Sequence, residues 1–252
     1  MTESSPQARR LRLDPDTLSL GRRAMYRRVL ALIGAQDRRF AIGGALGLSL
    51  QLGRLIDGEL EVYFEETGIG EVLAAVEKAG LKVDVKESQG KARVTYGDHR
   101  CTLRWMLPQP LFGGIDDAWF ERARRTRFLG LRVRVAPVEE LLWLRIAVPS
   151  GASVGDPLIA QLLLGRGENL DWPQLLMRTV GLEALLLSHL FLFWHQYPES
   201  ARTIVPAWVV TVLRAKLEQA EHSQPVGPDD DSVPEPRVIE ALLADQSLHG
   251  GG

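Results

Sequence analysis

Two glutamates at alternate positions are the residues of this chain best suited to chemistry. Glu59 and Glu61 belong to the run 59–64, in which charged and apolar residues alternate as they do in a half-buried strand. Their Cα atoms should lie ~6.6 Å apart on one face of that strand, at ~3.3 Å per residue. Two such carboxylates can bind a metal ion or form an acid–base pair, although most Glu-x-Glu pairs lie on solvated strand faces.

The glutamate strand lies in a part of the chain where helical and strand patterns alternate. Three short strands after it are separated by Gly-containing turns, which favours a meander. The predicted elements are a helix from Arg22, strand 40–42, helix 45–52, strand 59–64, helix 68–79, strands 82–86, 92–96 and 101–105, helix 116–125, strand 128–135 broken at Gly130, and a helix opened by Pro137.

From Pro157 onward only helical patterns occur. The chain is therefore predicted to have an α/β fold, a small mixed sheet flanked by helices, followed by a helical C-terminal domain. The segment 223–236 is rich in proline and aspartate, as flexible linkers are. The predicted organisation is a flexible N-terminal arm at 1–20, an α/β domain at 21–150, a helical domain at 151–222 and a flexible tail at 223–252 that holds one short helix.

Composition excludes several classes of protein. Hydrophobic residues make up 45% and charged residues 25%, as in globular proteins with a sizeable core. A net charge of −2 gives no electrostatic footprint for nucleic acid, which is therefore not an expected partner. The single cysteine, Cys101, excludes an intramolecular disulfide and favours a buried structural thiol. With no signal peptide and no run long enough to span a bilayer, we predict a cytoplasmic protein without membrane contact. The sequence carries no signal for an oligomeric state.

Several short motifs occur in order along the chain. They are Gly-Gly-Ala at 43–45, Ala-Gly at 79–80, Asp-Asp-Ala-Trp-Phe at 116–120, Pro-Val-Glu-Glu at 137–140, Leu-Asp-Trp at 170–172, Ser-His-Leu at 188–190 and Tyr-Pro at 197–198. With these motifs the chain, from about Met25 to Val210, resembles proteins of the nucleotidyltransferase fold. It is most similar to a group of uncharacterised bacterial nucleotidyltransferase-like proteins.

The resemblance implies a catalytic site. In the family, the glycine turn, here Gly43-Gly44, brings backbone N–H groups close to a triphosphate. Two strand acids, here Glu59 and Glu61, hold Mg²⁺, and a third acid comes from a later strand. The resemblance therefore implies a nucleotide as a substrate and Mg²⁺ as a cofactor.

The chain departs from the family pattern at the metal-binding acids. Where the group has Thr-Lys-Asp-x-Asp, this chain has the run 57–61, Asp-Gly-Glu-Leu-Glu, so that both strand acids are one methylene longer. The third acid should fall at Thr102, and Arg145 stands where a lysine is usual. Because Mg²⁺ tolerates ligand changes poorly, we expect weak binding of a second metal, with Asp57 as a partial replacement. The site then retains residual Mg²⁺-dependent transfer or uses no cofactor.

Two other functions fit the same residues. A metal-independent, glycosidase-like hydrolase would use Glu59 and Glu61 as an acid–base or nucleophile pair on a glycoside, with Arg54 and Arg104 making the two acids unequal. A non-catalytic protein would hold a ligand or a partner at the degenerate site. The favoured hypothesis is an enzyme of nucleotidyltransferase fold that acts on a small molecule, with Glu59 and Glu61 as its chemical centre.

Further side chains are candidates for contact with a substrate. Tyr63 and Trp105 lie near the carboxylate strand and can stack on a base or a sugar, or pack in the core. Four arginines at 122, 124, 125 and 127 can attract an anionic substrate, although a solvated helix face is the commoner origin of such a cluster. The predicted substrate-binding residues are Gly43, Gly44, Arg54, Asp57, Tyr63, Thr102, Arg104, Trp105 and Arg145.

Overall fold

The structure is a computed structural model that describes residues 13–36, 38–107, 114–147 and 156–223. The described residues up to Leu213 form one compact unit, and a second unit begins at Arg214, within the last helix. No helix among the described residues is long and apolar enough to cross a membrane.

Seven strands and ten α-helices are found in the described ranges. In chain order they are α1 (Leu20–Gly34), β1 (Phe40–Gly43), α2 (Gly44–Leu52), β2 (Leu60–Phe64), α3 (Ile69–Lys78), β3 (Lys82–Lys86), β4 (Lys91–Tyr96), β5 (His99–Arg104), α4 (Asp117–Glu121), β6 (Arg124–Phe128), β7 (Leu131–Val135), α5 (Val138–Ala147), α6 (Pro157–Arg166), α7 (Trp172–Arg178), α8 (Glu183–Gln196), α9 (Pro198–Ile204) and α10 (Ala207–Ser223).

All seven strands form one mixed sheet, in the order β3-β4-β5-β2-β1-β7-β6. The strand β2, which carries Glu61, lies in the middle of the sheet, antiparallel to β1 and parallel to β5. The strands β3, β4 and β5 pair antiparallel in succession, so the predicted meander is confirmed. The α/β prediction of a mixed sheet flanked by helices, followed by helices only, is confirmed as well.

The main core lies between α1, α3 and one face of the sheet. Helix α1 repeats apolar residues at helical spacing, and Val29 and Ile33 are fully buried against strand residues such as Val62 and Leu103. Burying a side chain of this kind stabilises the fold by about 1.5–3 kcal/mol. On the other side, α2 contacts both β1 and β2 and also α5 and α6. Helix α2 is therefore almost entirely buried between the sheet and the C-terminal helices.

The region after residue 116 differs from the prediction. The expected helix 116–125 ends at Glu121, and the expected strand 128–135 is a hairpin of β6 and β7. Its turn is Leu129-Gly130, where both residues have positive φ, 51° and 80°. Consecutive residues with positive φ close a two-residue hairpin, whose twist matches that of its strands. The expected break at Gly130 is therefore a chain reversal, and Arg124 and Arg125 belong to a strand.

The described part of the expected N-terminal arm packs on the protein. Leu13 and Leu18 are each only 4% exposed and belong to the core, on either side of a short helical turn that Asp14 caps. Their apolar side chains account for this difference from the expected loose arm. Residues 1–12 lie outside the described part of the chain, as does the expected tail beyond 223. The domain boundary expected near residue 150 stays a prediction. Helix α9 begins at Pro198, as proline is well tolerated in the first turn of a helix.

Candidate active site

A cleft of about 380 Å³ opens between the sheet and the helices α2, α5 and α6. The strand β2, the residues just before it and the first half of α2 form one side, while α5 and the start of α6 complete it. The lining includes Leu48, Leu141, Leu144 and Leu158, so the cleft has an apolar wall. Seven of the residues predicted from the sequence line it: Gly44, Asp57, Glu59, Glu61, Tyr63, Arg104 and Arg145.

Four predicted site residues do not line the cleft. Gly43 is the residue before α2, and Thr102 lies opposite Glu61 in the parallel pair of β2 and β5. The side chain of Arg54 is exposed and bonds to Gln161, and Trp105 is buried, with 8% of its surface exposed. These four residues therefore lie outside the lining of the cleft, and their roles in binding stay predictions.

The glycine turn is shaped by the side chains of β2. A Cβ on Gly43 would lie 2.3 Å from the ring of Tyr63, and a Cβ on Gly44 would lie 2.9 Å from the carboxyl carbon of Glu61. Gly44 also has a positive φ of 55°, which disfavours any other residue. The two glycines are therefore needed because Glu61 and Tyr63 pack directly against the backbone at the start of α2.

The N-terminus of α2 has no side-chain cap. Gly43 occupies the capping position and offers no side-chain acceptor to the first N–H groups of the helix. Gly44 and Ala45, the first residues of α2, line the cleft. Because helix N-termini carry a partial positive charge and N–H donors, this end of the cleft is suited to an anionic group such as a phosphate.

Each glutamate has an arginine partner from β5. Glu59 forms an ion pair with Arg100, whose side chain is 60% exposed. Glu61 lies 3.7 Å from Nε of Arg104, too far for a hydrogen bond, and its Oε2 accepts a 2.9 Å hydrogen bond from the Tyr63 hydroxyl. Arg100 was missed in the sequence, because the contact depends on the parallel pairing of β2 with β5, which are not consecutive strands.

Tyr63 is held in the wall of the cleft. Its ring lies 4.8 Å from that of Trp119, and its side chain is almost fully buried. Burial raises the pKa of Tyr63 well above its usual value, and the negative charge of Glu61 raises it further. The hydroxyl therefore stays protonated and fixes the position of the Glu61 carboxylate by donating to it.

The acids of the cleft are the candidates for holding a metal ion. Mg²⁺ is commonly held by one or two carboxylates together with substrate phosphates, and Glu59 and Glu61 line the same cleft as the uncapped helix end. Thr102 lies at the position on β5 that pairs with Glu61, and it offers no carboxylate. Within the described ranges, no three His, Cys, Asp or Glu residues come together as a metal-binding group.

Other acids of the family-like motifs lie in a polar network away from the cleft. Glu140 is fully buried and accepts hydrogen bonds from Arg178 Nε (2.9 Å) and Gln174 (3.2 Å), while Arg178 also donates to Asp116 (2.7 Å). Burial raises the pKa of Glu140 against the opposing effect of Arg178. These contacts join α4, α5 and α7, so the motif residues in this network position helices.

The chain is similar to solved structures of three kinds. One is ANT(2″)-Ia in complex with adenylyl-2″-tobramycin, at 19% identity and a TM-score of 0.44, covering 80% of this chain and 99% of that one. Another is the lincomycin-bound lincosamide antibiotic adenylyltransferase LnuA, at 13% identity and a TM-score of 0.42, covering 57% and 96%. The third is a tRNA nucleotidyltransferase complexed with a primer tRNA and an incoming ATP analog, at 13% identity and a TM-score of 0.30, covering 77% and 68%.

No protein-family model and no curated protein matches the chain.

Proposed function

We propose that the cleft binds a nucleoside triphosphate and transfers its nucleotidyl group to a small-molecule acceptor. The observation that carries this proposal is that the uncapped N-terminus of α2 and the carboxylates Glu59 and Glu61 line one cleft. A phosphate chain needs N–H donors and positive charge at one point, and acids that can share a cation with it at another. This cleft offers both, and the wall formed by Leu48, Leu141 and Leu158 adds an apolar surface for a base.

In the proposed reaction, an acceptor oxygen forms a bond to the α-phosphorus. The bond from that phosphorus to its bridging oxygen breaks, and pyrophosphate leaves with the bonding electrons. The acceptor proton passes to water, because Thr102 offers no carboxylate to receive it at the position paired with Glu61. Glu59 and Glu61 would hold one Mg²⁺ with the phosphates, and the ion would neutralise phosphate charge.

The chain's own residues have distinct tasks in this proposal. The first N–H groups of α2 orient the phosphates. Arg145 also lines the cleft, where its ion pair with Asp156 holds the guanidinium in place and leaves further N–H donors for a phosphate oxygen. The Tyr63 hydroxyl holds Glu61 in place through its 2.9 Å hydrogen bond. Arg100 and Arg104 compensate the charge of the glutamates while the site is without a cation.

Calorimetric titration of the protein with ATP in the presence of Mg²⁺ tests the proposal. We expect binding to the wild type and at least about tenfold weaker binding to the double variant Glu59→Gln, Glu61→Gln, because both metal-sharing carboxylates are lost. The matched control is Glu66→Gln with Glu77→Gln, which makes the same change of charge at two exposed glutamates. The proposal is wrong if the cleft variant binds ATP as tightly as the control.

A ligand-binding role without transfer is the second candidate. This candidate is supported by Thr102, which lies opposite Glu61 and has no carboxylate. The cleft could then hold a nucleotide although no residue at that position accepts the proton of an acceptor hydroxyl. Release of pyrophosphate in the presence of nucleophilic acceptors separates the two candidates, because binding alone releases none. The arginine partners give neither glutamate the apolar surroundings that a proton-donating acid needs, so nothing in the geometry favours the hydrolase.

A further inference from the structure

A second cavity, of about 400 Å³, lies at the opposite end of α2 from the glycine turn. We call it the arginine pocket because three arginines from different elements line it. Its lining residues are Gln51, Arg122, Arg124, Pro137, Val138, Glu139, Arg166, Asn169 and Asp171.

Two of these arginines bond to the last turn of α2. Arg124, at the start of β6, donates to the backbone oxygen of Leu50 and to the side-chain oxygen of Gln51. Arg166, at the end of α6, donates through Nε to the backbone oxygen of Gln51 at 2.8 Å. Cations at a helix C-terminus are favourable, so capping of α2 is one reason for their position.

Capping alone leaves much of their charge and many of their donors unused. The C-terminus of a helix is equivalent to about −0.5 elementary charge, whereas Arg124 and Arg166 together carry two positive charges. A guanidinium has five N–H donors, and the bonds to α2 use two from Arg124 and one from Arg166. Within the described ranges neither arginine forms an ion pair.

The two carboxylates that line the pocket have partners other than Arg124 and Arg166. Asp171 pairs with Arg122 and caps α7 by accepting from the backbone N–H of Gln174. Glu139 accepts a 2.7 Å hydrogen bond from the backbone N–H of Asp171. Burial lowers the pKa of Arg124, and the nearby charge of Arg166 lowers it further, so the two guanidiniums repel each other.

We propose that the arginine pocket binds an anion that bears phosphate groups, held between Arg124 and Arg166. Such an anion pairs with planar guanidinium forks in bidentate fashion, and it relieves both the repulsion and the cost of partial burial. Phosphate could come from an inorganic anion or from a nucleotide, and the chemistry of recognition is shared. This site is separate from the cleft and does not depend on the proposed function.

Titration calorimetry at constant ionic strength, with phosphate, pyrophosphate and AMP as separate probes, tests the site. We expect at least one probe to bind the wild type. The double variant Arg124→Gln, Arg166→Gln should bind that probe at least about tenfold more weakly than the wild type does, because charge-assisted hydrogen bonds are lost. Pyrophosphate binding more tightly than AMP identifies an inorganic ligand, and the reverse order identifies a nucleotide. The matched control is Arg125→Gln with Arg127→Gln, which removes two exposed arginines from the same strand and should bind like the wild type.

Two results would overturn the proposal. The first is that no probe binds the wild type. The second is that a probe still binds the Arg124→Gln, Arg166→Gln variant but not Arg104→Gln, because the anion would then bind in the cleft. If the glutamine variant does not fold, Arg124→Lys with Arg166→Lys replaces it. Lysine keeps the charge but not the fork, so we expect weaker binding there, and unchanged affinity would contradict bidentate recognition.

Discussion

The two ends of α2 differ in the sign of the charge that lines them. At the N-terminal end the cleft is lined by three acids and two arginines, so that acids are in excess. At the C-terminal end the arginine pocket is lined by three arginines and two acids, so that arginines are in excess. Both arrangements complement the helix dipole, which is positive at its N-terminus and negative at its C-terminus. A single buried helix of nine residues therefore organises two oppositely charged cavities.

The ends also differ in how their charges are compensated. Each glutamate of the cleft lies beside an arginine of the chain itself, whereas the arginines that cap α2 have no acidic partner in the described residues. The cleft can therefore remain intact without a ligand, and it must give up ion pairs to bind a cation. In the described residues, an anion that binds Arg124 and Arg166 breaks no ion pair of these two arginines. Charge compensation within the chain thus predicts which cavity a simple ion enters more readily.

The largest expected effect on stability concerns the N-terminal end. We predict that Gly44→Ala lowers the free energy of unfolding by about 1–3 kcal/mol. Alanine disfavours the positive φ of this position, and its Cβ would press on Glu61. Gly70→Ala in α3 is the matched control, since a Cβ there meets nothing within 4 Å and alanine favours the helix. Urea unfolding of both variants measures the difference. Equal stability of the two variants would mean that Glu61 does not pack on the turn.

A smaller effect contrasts the two ends directly, through two double-mutant cycles read by urea unfolding. In the first cycle, Arg124→Gln and Arg166→Gln, each single change removes the repulsion, but the double change can remove it only once. The free energy of unfolding of the double variant should therefore fall by about 0.5–1 kcal/mol more than the sum of the two single losses. In the second cycle, Glu59→Gln and Arg100→Gln, each single change breaks the same ion pair. The free energy of unfolding of the double variant should therefore fall by about 0.2–1 kcal/mol less than the sum of the two single losses. If the two cycles gave coupling energies of the same sign, the two ends of α2 would not differ in how their charges are compensated.

The cleft end of α2 was largely predictable from the sequence, because its pattern is local. The alternation at 59–64 and the Gly43-Gly44 turn each depend on residues close together in the chain, and β2 and α2 form where the pattern predicted them. The fold class was predictable for the same reason. Glu59, Glu61 and Tyr63 line a common cavity, and the roles predicted for them stay predictions.

The arginine pocket was not predictable, because its geometry depends on contacts between distant residues. Arg124 was placed on a helix, and its side chain reaches Leu50, which is 74 residues away in the sequence. The positive φ of Leu129 is unusual for that residue type and hid the hairpin that places Arg124 on a strand. The Arg100 contact was missed likewise, since no local pattern shows that β5 pairs with β2.

The smallest predicted effect is that of the Glu61 charge on the pKa of Tyr63. The pKa of Tyr63 is raised chiefly by burial and then by the charge of Glu61, so Glu61→Gln should lower that pKa while leaving it above its usual value. Because the folded-state pKa of Tyr63 exceeds that of the unfolded chain, its contribution to stability is complete below the unfolded value and is lost as pH rises through the folded one. Tyrosinate absorbance measures the change, with Tyr63→Phe identifying the signal of this residue. An unchanged Tyr63 pKa in Glu61→Gln would show that Arg104 already compensates the charge of the Glu61 carboxylate. The N-terminal end of α2 would then carry too little negative charge to differ from the arginine pocket as described above.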